Sequence, residues 1–143
     1  MDPRPASQLG EKQPRGVVLE QISNAVVGVY REHFGKGPSS AKTYALDDVV
    51  ICVLRDGLTT AERTLFERGR GDAVREMRAA FQDAIADTFT TVLEEITQRK
   101  VVAFMSQAHV DPDLAIEVFF LDGPVESNGS HDTDGERSAE ALA

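Results

Sequence analysis

The sequence predicts an α+β fold, a two-layer sandwich of antiparallel hairpins packed on one long helix, in the order α-β-β-α-α-β-β. Between Asp72 and Arg99, apolar residues recur every three or four positions with charged residues between them, which indicates a long amphipathic helix. Strand-like segments lie before and after it, and hairpins interleaved with helices favour a sheet covered on one face. The apolar stripe consists of Val74, Met77, Phe81, Ile85, Phe89, Val92 and Ile96.

A first helix is predicted over residues 17–34, because its apolar residues follow the same helical spacing. Gly35 comes directly after the stripe, where a C-cap glycine ends a helix, and Pro38 lies shortly beyond. The stripe consists of Val18, Ile22, Val26, Val29, Tyr30 and Phe34.

A β-hairpin is predicted next. Thr43, Tyr44 and residues 49–54 have the β-branched and aromatic composition of strands, and Asp47 and Asp48 between them are suited to a turn.

A short helix is predicted after the Asp-Gly pair at 56–57, which closes the second strand. Thr59 is placed to cap it, and Glu62 stands three residues later in the position of a capping box. We expect this helix to end near Gly69, and Asp72 to cap the long helix that follows.

A second hairpin is predicted from residues 100–105 and 114–121. Its last strand alternates, with Ala115, Glu117 and Phe119 on one side, so one face is expected on the helices and the other more exposed.

Composition predicts one globular domain over residues 17–122, since 143 residues with 41% apolar content can form a real core. The flanking segments 1–16 and 123–143 are rich in Pro, Gly, Ser and charge, and are predicted to be disordered. The net charge of −9 divides into +1 for residues 1–16, −5 for 17–121 and −5 for 122–143. Nucleic acid is therefore not expected to be a partner.

Cys52 lies in an apolar strand segment, so it is predicted to be a buried structural thiol. No apolar run approaches the roughly 20 residues of a membrane span, and the N-terminus has no signal-peptide pattern. We expect a cytoplasmic protein without direct membrane insertion.

One candidate anion site is the loop after the first helix, in which Lys36, Gly37 and Lys42 combine exposed amides with positive charge. The loop is not a P-loop, because neither the preceding strand nor the spacing is present. The alternative is an ordinary loop after a helix C-cap.

A second candidate anion site is the start of the long helix, where Arg70, Arg75 and Arg78 lie near free backbone amides. Alternatively, Asp72 occupies that end, and Glu67 and Glu76 neutralise the arginines in surface pairs.

A third candidate is the polar loop containing His109, Asp111 and Asp113, which could serve acid–base chemistry. The alternative is a turn built on Asp-Pro-Asp. No two histidines have ligand spacing, so neither a metal nor another cofactor is predicted. Ser106 lies near His109 in sequence, but no nucleophile-elbow motif accompanies it.

The stripe of the long helix has two interpretations, as core or as the surface of a homodimer. Phe89 and Val92 would form the dimer surface, since the helix is long enough to extend beyond a sheet.

Three segments of the chain together resemble the bacterial MpsC-type domain, once described only as a domain of unknown function. The resemblance covers roughly residues 19–121 and leaves both tails outside. The segments are ISNAVVGVYREHFGKGPSSAKTYALDDVVICVLRDGLTTAERTL, GRGDAVREMRAAFQDAI and RKVVAFMSQAHVDPDLAIEVFFL. Positions that match the family pattern are Gly35, Lys36, Gly37, Pro38, Lys42, Arg75, Arg78, His109 and Asp111, and no catalytic role comes with them.

The resemblance implies a soluble accessory component of a sodium-translocating, membrane-potential-generating system linked with bicarbonate supply. Its partner would be a subunit of that transport system. The basic residues of the two candidate anion sites separately indicate a small anion as a second partner. Two alternatives come from the residues: a small-molecule enzyme that uses His109 with an arginine-rich site for an acidic substrate, and a dimerisation module.

Overall fold

A computed structural model describes residues 13–125 of the chain. Four helices and four strands are present in this range, and the strands form one antiparallel sheet, as the fold class predicts. The elements are α1 (Arg15–Phe34), β1 (Ser40–Leu46), β2 (Val49–Arg55), α2 (Thr60–Glu67), α3 (Gly71–Ala84), α4 (Ala86–Thr97), β3 (Val101–His109) and β4 (Leu114–Leu121).

The sheet has the strand order β1-β2-β4-β3, so the two hairpins join through β2 and β4. Side chains alternate between its two faces. The inner face lies against the helices and carries buried residues such as Val50, Leu54 and Phe119. The outer face carries the intervening residues, such as Ile51 and Val118.

The core lies between the inner face and helices α1 and α4. Ile22 and Val26 of α1 and Phe89 and Leu93 of α4 are fully buried there, together with Phe119 of β4. The apolar stripe of the predicted long helix is therefore core along much of its length.

Local signals in the sequence set several element ends as predicted. Gly35 adopts a left-handed conformation with φ 78° and donates its N–H to Arg31 O, which ends α1. Thr59 and Glu62 form a complete capping box at α2. Asp47 makes the β1–β2 turn with φ 54°.

The single long helix predicted over residues 72–99 is wrong in one respect, because Ile85 divides it into α3 and α4. Ile85 has φ −107° and ψ 10°, and its side chain is buried. Helix α3 packs on α2 and β3, whereas α4 packs on α1 and β3. Neither Gly nor Pro marks the break, so the apolar spacing runs through it without interruption.

The predicted cap at the start of α3 also differs. Arg70 is the N-cap residue and makes no side-chain capping bond. Asp72 lies in the first turn instead, where it accepts a hydrogen bond from Arg70 Nε at 3.1 Å.

The predicted tails lie mostly outside the described residues. Within the described part, α1 begins at Arg15, two residues before the predicted start. In residues 13–125, no helix combines the length and the apolar character needed to cross a membrane.

Candidate functional site

A row of polar side chains crosses the inner face of the sheet. The strand register aligns Thr43 of β1, Cys52 of β2, Glu117 of β4 and Ser106 of β3. Polar residues in a buried row are costly unless they are hydrogen-bonded. The row is therefore the most unusual feature of this otherwise apolar layer.

The first half of the row is structural. Thr43 Oγ1 lies 2.7 Å from Ser23 Oγ of α1, so the two hydroxyls satisfy each other. Burial raises the pKa of the Cys52 thiol to about 11. The thiol is therefore un-ionised near neutral pH and is not a nucleophile.

The second half of the row is incompletely satisfied. Tyr30 of α1 donates its hydroxyl proton to Glu117 Oε1 over 2.5 Å. The carboxylate's other oxygen, Oε2, and the buried Oγ of Ser106 opposite it form no hydrogen bond of good geometry, although the Ser106 hydroxyl is close enough to stabilise the carboxylate. Burial raises the pKa of Glu117 to about 7, although Ser106 and Tyr30 act against that rise.

A second buried carboxylate, Glu62 of α2, is paired with Arg78 of α3. Arg78 donates from Nε to Oε2 over 2.6 Å and from a terminal nitrogen to Oε1 over 2.5 Å, in a bidentate arrangement. The same guanidinium donates to Gly57 O over 2.9 Å and lies 3.9 Å from the ring centroid of Phe34. Burial pushes the pKa of Glu62 upward, but the hydrogen bonds from Arg78 and from the Thr59 backbone outweigh it, so the pKa is lowered.

A cleft of about 250 Å³ opens between α3 and β3, beside these two pairs. Gln82 of α3 lies on its wall with only 8% of its surface exposed, and its Nε2 has no hydrogen-bond partner. Ser106 lies on the opposite wall. The lining residues are Arg75, Arg78, Ala79, Gln82, Asp83, Ala86, Phe104, Ser106, Gln107 and Ala108.

Positive charge at the cleft comes from Arg75. Its side chain is exposed, and it forms no hydrogen bond or ion pair with any described residue. Arg78 also lines the cleft, but Glu62 balances its charge. Asp83 is an exposed carboxylate that also lines the cleft, and water screens its charge and that of Arg75 alike. The donors available to a ligand are therefore the Arg75 guanidinium, the Gln82 amide and the Ser106 hydroxyl.

The structure separates the residues of the first predicted anion site. Lys36 donates from Nζ to Leu58 O over 2.8 Å, which holds the loop against the start of α2. Gly37 packs against Val27. Lys42 lies on the outer face of β1, 5.6 Å from the ring centroid of Tyr44, and so on the opposite side of the sheet from Arg78.

Of the second predicted anion site, Arg75 and Arg78 do meet at the cleft, while Arg70 pairs with Asp72 at the exposed start of α3. The predicted surface pairing of these arginines with Glu67 and Glu76 is replaced for Arg78 by the buried pair with Glu62.

The polar loop containing His109, Asp111 and Asp113 makes the contacts of a structural turn. His109 ends β3 and its Nδ1 lies 2.8 Å from Pro112 O, while Asp111 is exposed in the turn. Asp113 accepts the backbone N–H groups of Gly57 and Leu58. His109 and Asp113 share only a space of about 10 Å³, which is room for a single water. The enzyme hypothesis based on His109 stays a prediction.

Within the described residues, no group of three His, Cys, Asp or Glu side chains is arranged to hold a metal ion.

Residues that sequence analysis missed are Tyr30, Glu62, Gln82, Ser106 and Glu117 as partners in one buried polar region. Only Glu117 carried a signal, since it alternates with apolar residues on the same side of β4 as Ala115 and Phe119.

Comparison with protein families places residues 14–123 in a match to the family described as "Na+-translocating membrane potential-generating system (MpsC)". This match covers the whole fold described above. The chain belongs to the MpsC family.

Two MpsC-family relatives come from Bacillus subtilis (strain 168). The uncharacterized protein YbcI is 25% identical over 118 residues, covering 82% of this chain and 95% of YbcI. The uncharacterized protein YrhF is 24% identical over 113 residues, covering 76% of this chain and 90% of YrhF. No solved structure matches the chain.

Proposed function

We propose that this chain is a cytoplasmic accessory domain of a sodium-translocating, membrane-potential-generating system, and that it senses a small anion in the α3–β3 cleft. The family description supports the association with such a system. The cleft supports the sensing role, since it offers hydrogen-bond donors that the protein itself leaves unused.

The observation that carries the proposal is the buried donor without a partner, Gln82 Nε2, in a cleft that the Ser106 hydroxyl also lines. Leaving a buried polar group unpaired costs about 1–3 kcal/mol, so native proteins retain few of them. Gln82 and Ser106 line one cleft, and Arg75 supplies a positive charge there without forming an ion pair with any described residue, while Asp83 places a carboxylate on the same lining.

Ligand size and charge follow from these groups. A volume of about 250 Å³ has room for a small oxyanion such as bicarbonate, acetate or phosphate together with water, and does not by itself select one of them. Its oxygens would accept from the Gln82 amide and the Ser106 hydroxyl, while the Arg75 guanidinium balances its charge. Bicarbonate is the physiological candidate, in keeping with the link to bicarbonate supply that the family resemblance implies.

Protonation of Glu117 would favour this binding. Its carboxyl lies opposite Ser106 in the β3–β4 register, and ionisation would place a negative charge near the anion. Anion affinity is therefore expected to rise as the pH falls through about 7, the pKa of Glu117.

The test is thermal unfolding of the full chain with bicarbonate, acetate, phosphate, nucleotides or divalent metal chlorides, at constant ionic strength set with sodium chloride. Binding to the folded state raises the midpoint, and the stabilisation grows with the logarithm of one plus the ligand concentration over Kd. We expect one anion to raise it, Arg75→Ala to abolish the rise, and the matched Arg70→Ala to leave it unchanged. A response to none of the anions, or one that survives Arg75→Ala, would contradict the site.

A further inference from the structure

The outer face of the sheet is apolar across its centre and has no helix on it in the described part of the chain. The register places three neighbouring rows of side chains there, and each row crosses all four strands. They are Leu46, Val49, Phe120 and Ala103; then Tyr44, Ile51, Val118 and Met105; then Lys42, Val53, Ile116 and Gln107.

Such a face is unusual for a sheet exposed to water. In an antiparallel sheet with one solvated side, the solvent-facing positions are normally polar. Here Met105 is 56% exposed and Ile116 is 39% exposed, although both lie in the middle of their strands. The inner face already supplies the core, so the outer apolar rows are not needed to hold this domain together.

We propose that the outer face is a self-association surface, on which a second copy of this chain packs sheet against sheet through a twofold axis. The occupant is a second copy because the charges along β1 and β2 complement those of the same two strands in an identical face. This inference is independent of the anion site, which lies on the other side of the sheet.

Charge is distributed unevenly along β1 and β2. Lys42 and Arg55 are on the outer face toward one end of these strands, and the Asp47–Asp48 turn closes the other end. The twofold axis lies between the two faces, parallel to the sheets and perpendicular to the strands. It lays each strand over the same strand of the other copy, with the direction reversed. The basic end of one copy then faces the acidic turn of the other.

The flat area of the face is close to the lower limit for such a contact. Seven residues per strand at about 3.3 Å and four strands at about 4.8 Å give a flat footprint of roughly 440 Å² per copy, before side-chain relief is added. A specific interface needs about 500 Å² from each partner. Aligned packing of two sheets at about 30° is a common arrangement for apolar faces of this kind.

The first experiment measures the molar mass of the full chain by light scattering at tens of micromolar. We expect a dimer, and we expect Met105→Glu combined with Ile116→Glu to weaken it by about tenfold or more, since two charges would be buried at its centre. The matched control is Val17→Glu combined with Leu65→Glu, which alters similarly exposed apolar residues on helices and should leave the dimer unchanged.

A second variant tests the charge arrangement without touching the apolar rows. Lys42→Asp should weaken the dimer, and adding Asp48→Lys in the same chain should restore it. Circular dichroism checks that each variant is folded. If the apolar double variant is unfolded, the charge variants alone test the dimer.

A monomeric full chain would overturn the inference, and would assign the face to the segment after residue 125 or to a different protein. A dimer that survives both the apolar and the charge variants would also overturn it, because another surface would then hold the copies together.

Discussion

Glu62 and Glu117 are both buried glutamates, with 1% and 0% of their surface exposed, yet their surroundings are opposite in kind. Glu62 receives two hydrogen bonds from Arg78 and one from the backbone N–H of Thr59, and its pKa is lowered. Glu117 receives one hydrogen bond, from the Tyr30 hydroxyl, and burial raises its pKa to about 7.

The difference separates a structural polar group from one that retains unused capacity. Glu62 and Arg78 connect α2 to α3 and satisfy each other, so they leave little free charge for a ligand. Glu117 keeps one oxygen that faces only the Ser106 hydroxyl, next to the cleft, without a hydrogen bond of good geometry. The ligand chemistry of this domain is therefore expected on the side of Glu117.

The largest expected effect is on the structural pair. Arg78→Met should lower the free energy of unfolding by about 3–5 kcal/mol, because it leaves the buried Glu62 carboxylate without its partner. Urea denaturation measures the loss. The double variant Glu62→Met with Arg78→Met should be more stable than Arg78→Met alone, whereas equal or lower stability would show that Glu62 does not depend on Arg78.

The next effect is the pH dependence that Glu117 contributes. Its folded-state pKa of about 7 exceeds the ordinary 4.5, so the folded protein binds this proton more tightly than the unfolded chain does. The resulting stability is fully present below the ordinary pKa and is lost as the pH rises to about 7. From the size of the shift, the loss is about 3 kcal/mol.

Urea denaturation at pH 5 and pH 8 measures this contribution. Glu117→Gln should remove this contribution from the difference in unfolding free energy between pH 5 and pH 8. Glu67→Gln, at an exposed position, should leave that difference unchanged. Equal pH dependence in the wild type and Glu117→Gln would contradict the raised pKa.

A smaller effect is expected from Tyr30→Phe, about 1–2 kcal/mol, since it removes the hydrogen bond from the Tyr30 hydroxyl to the Glu117 carboxylate. The Tyr30 hydroxyl lowers the pKa of Glu117, so its loss should cost more at pH 8, where the carboxylate is charged, than at pH 5. Urea denaturation at pH 5 and pH 8 measures the loss of unfolding free energy. Tyr44→Phe, on the outer face, is the control. A cost independent of pH would indicate lost packing alone.

Much of the fold could be predicted because local signals determined it. Gly35, the Asp47–Asp48 turn and the Thr59–Glu62 capping box each act within a few residues, and each forms as the sequence indicates. The break at Ile85 has no such signal. It depends on how α3 and α4 pack on different neighbours, and the apolar spacing continues through it.

The candidate site was harder to predict because its members are distant in sequence. Tyr30 and Glu117 are 87 residues apart, and Glu62 and Arg78 are 16 apart on different helices. The sequence does indicate Arg75 and Arg78, from their place early in a helix. It does not indicate that Lys42 faces the other side of the sheet, because that depends on strand register.

The most direct test of the central claim is thermal unfolding of the wild type and Gln82→Leu, each with and without the anion that stabilises the wild type. If the buried amide is retained for a ligand, replacing it with an apolar side chain should leave stability unchanged or raise it slightly without the anion. The anion-dependent shift should disappear. A variant that keeps the full shift would show that the anion binds elsewhere, and would contradict the cleft as the sensing site.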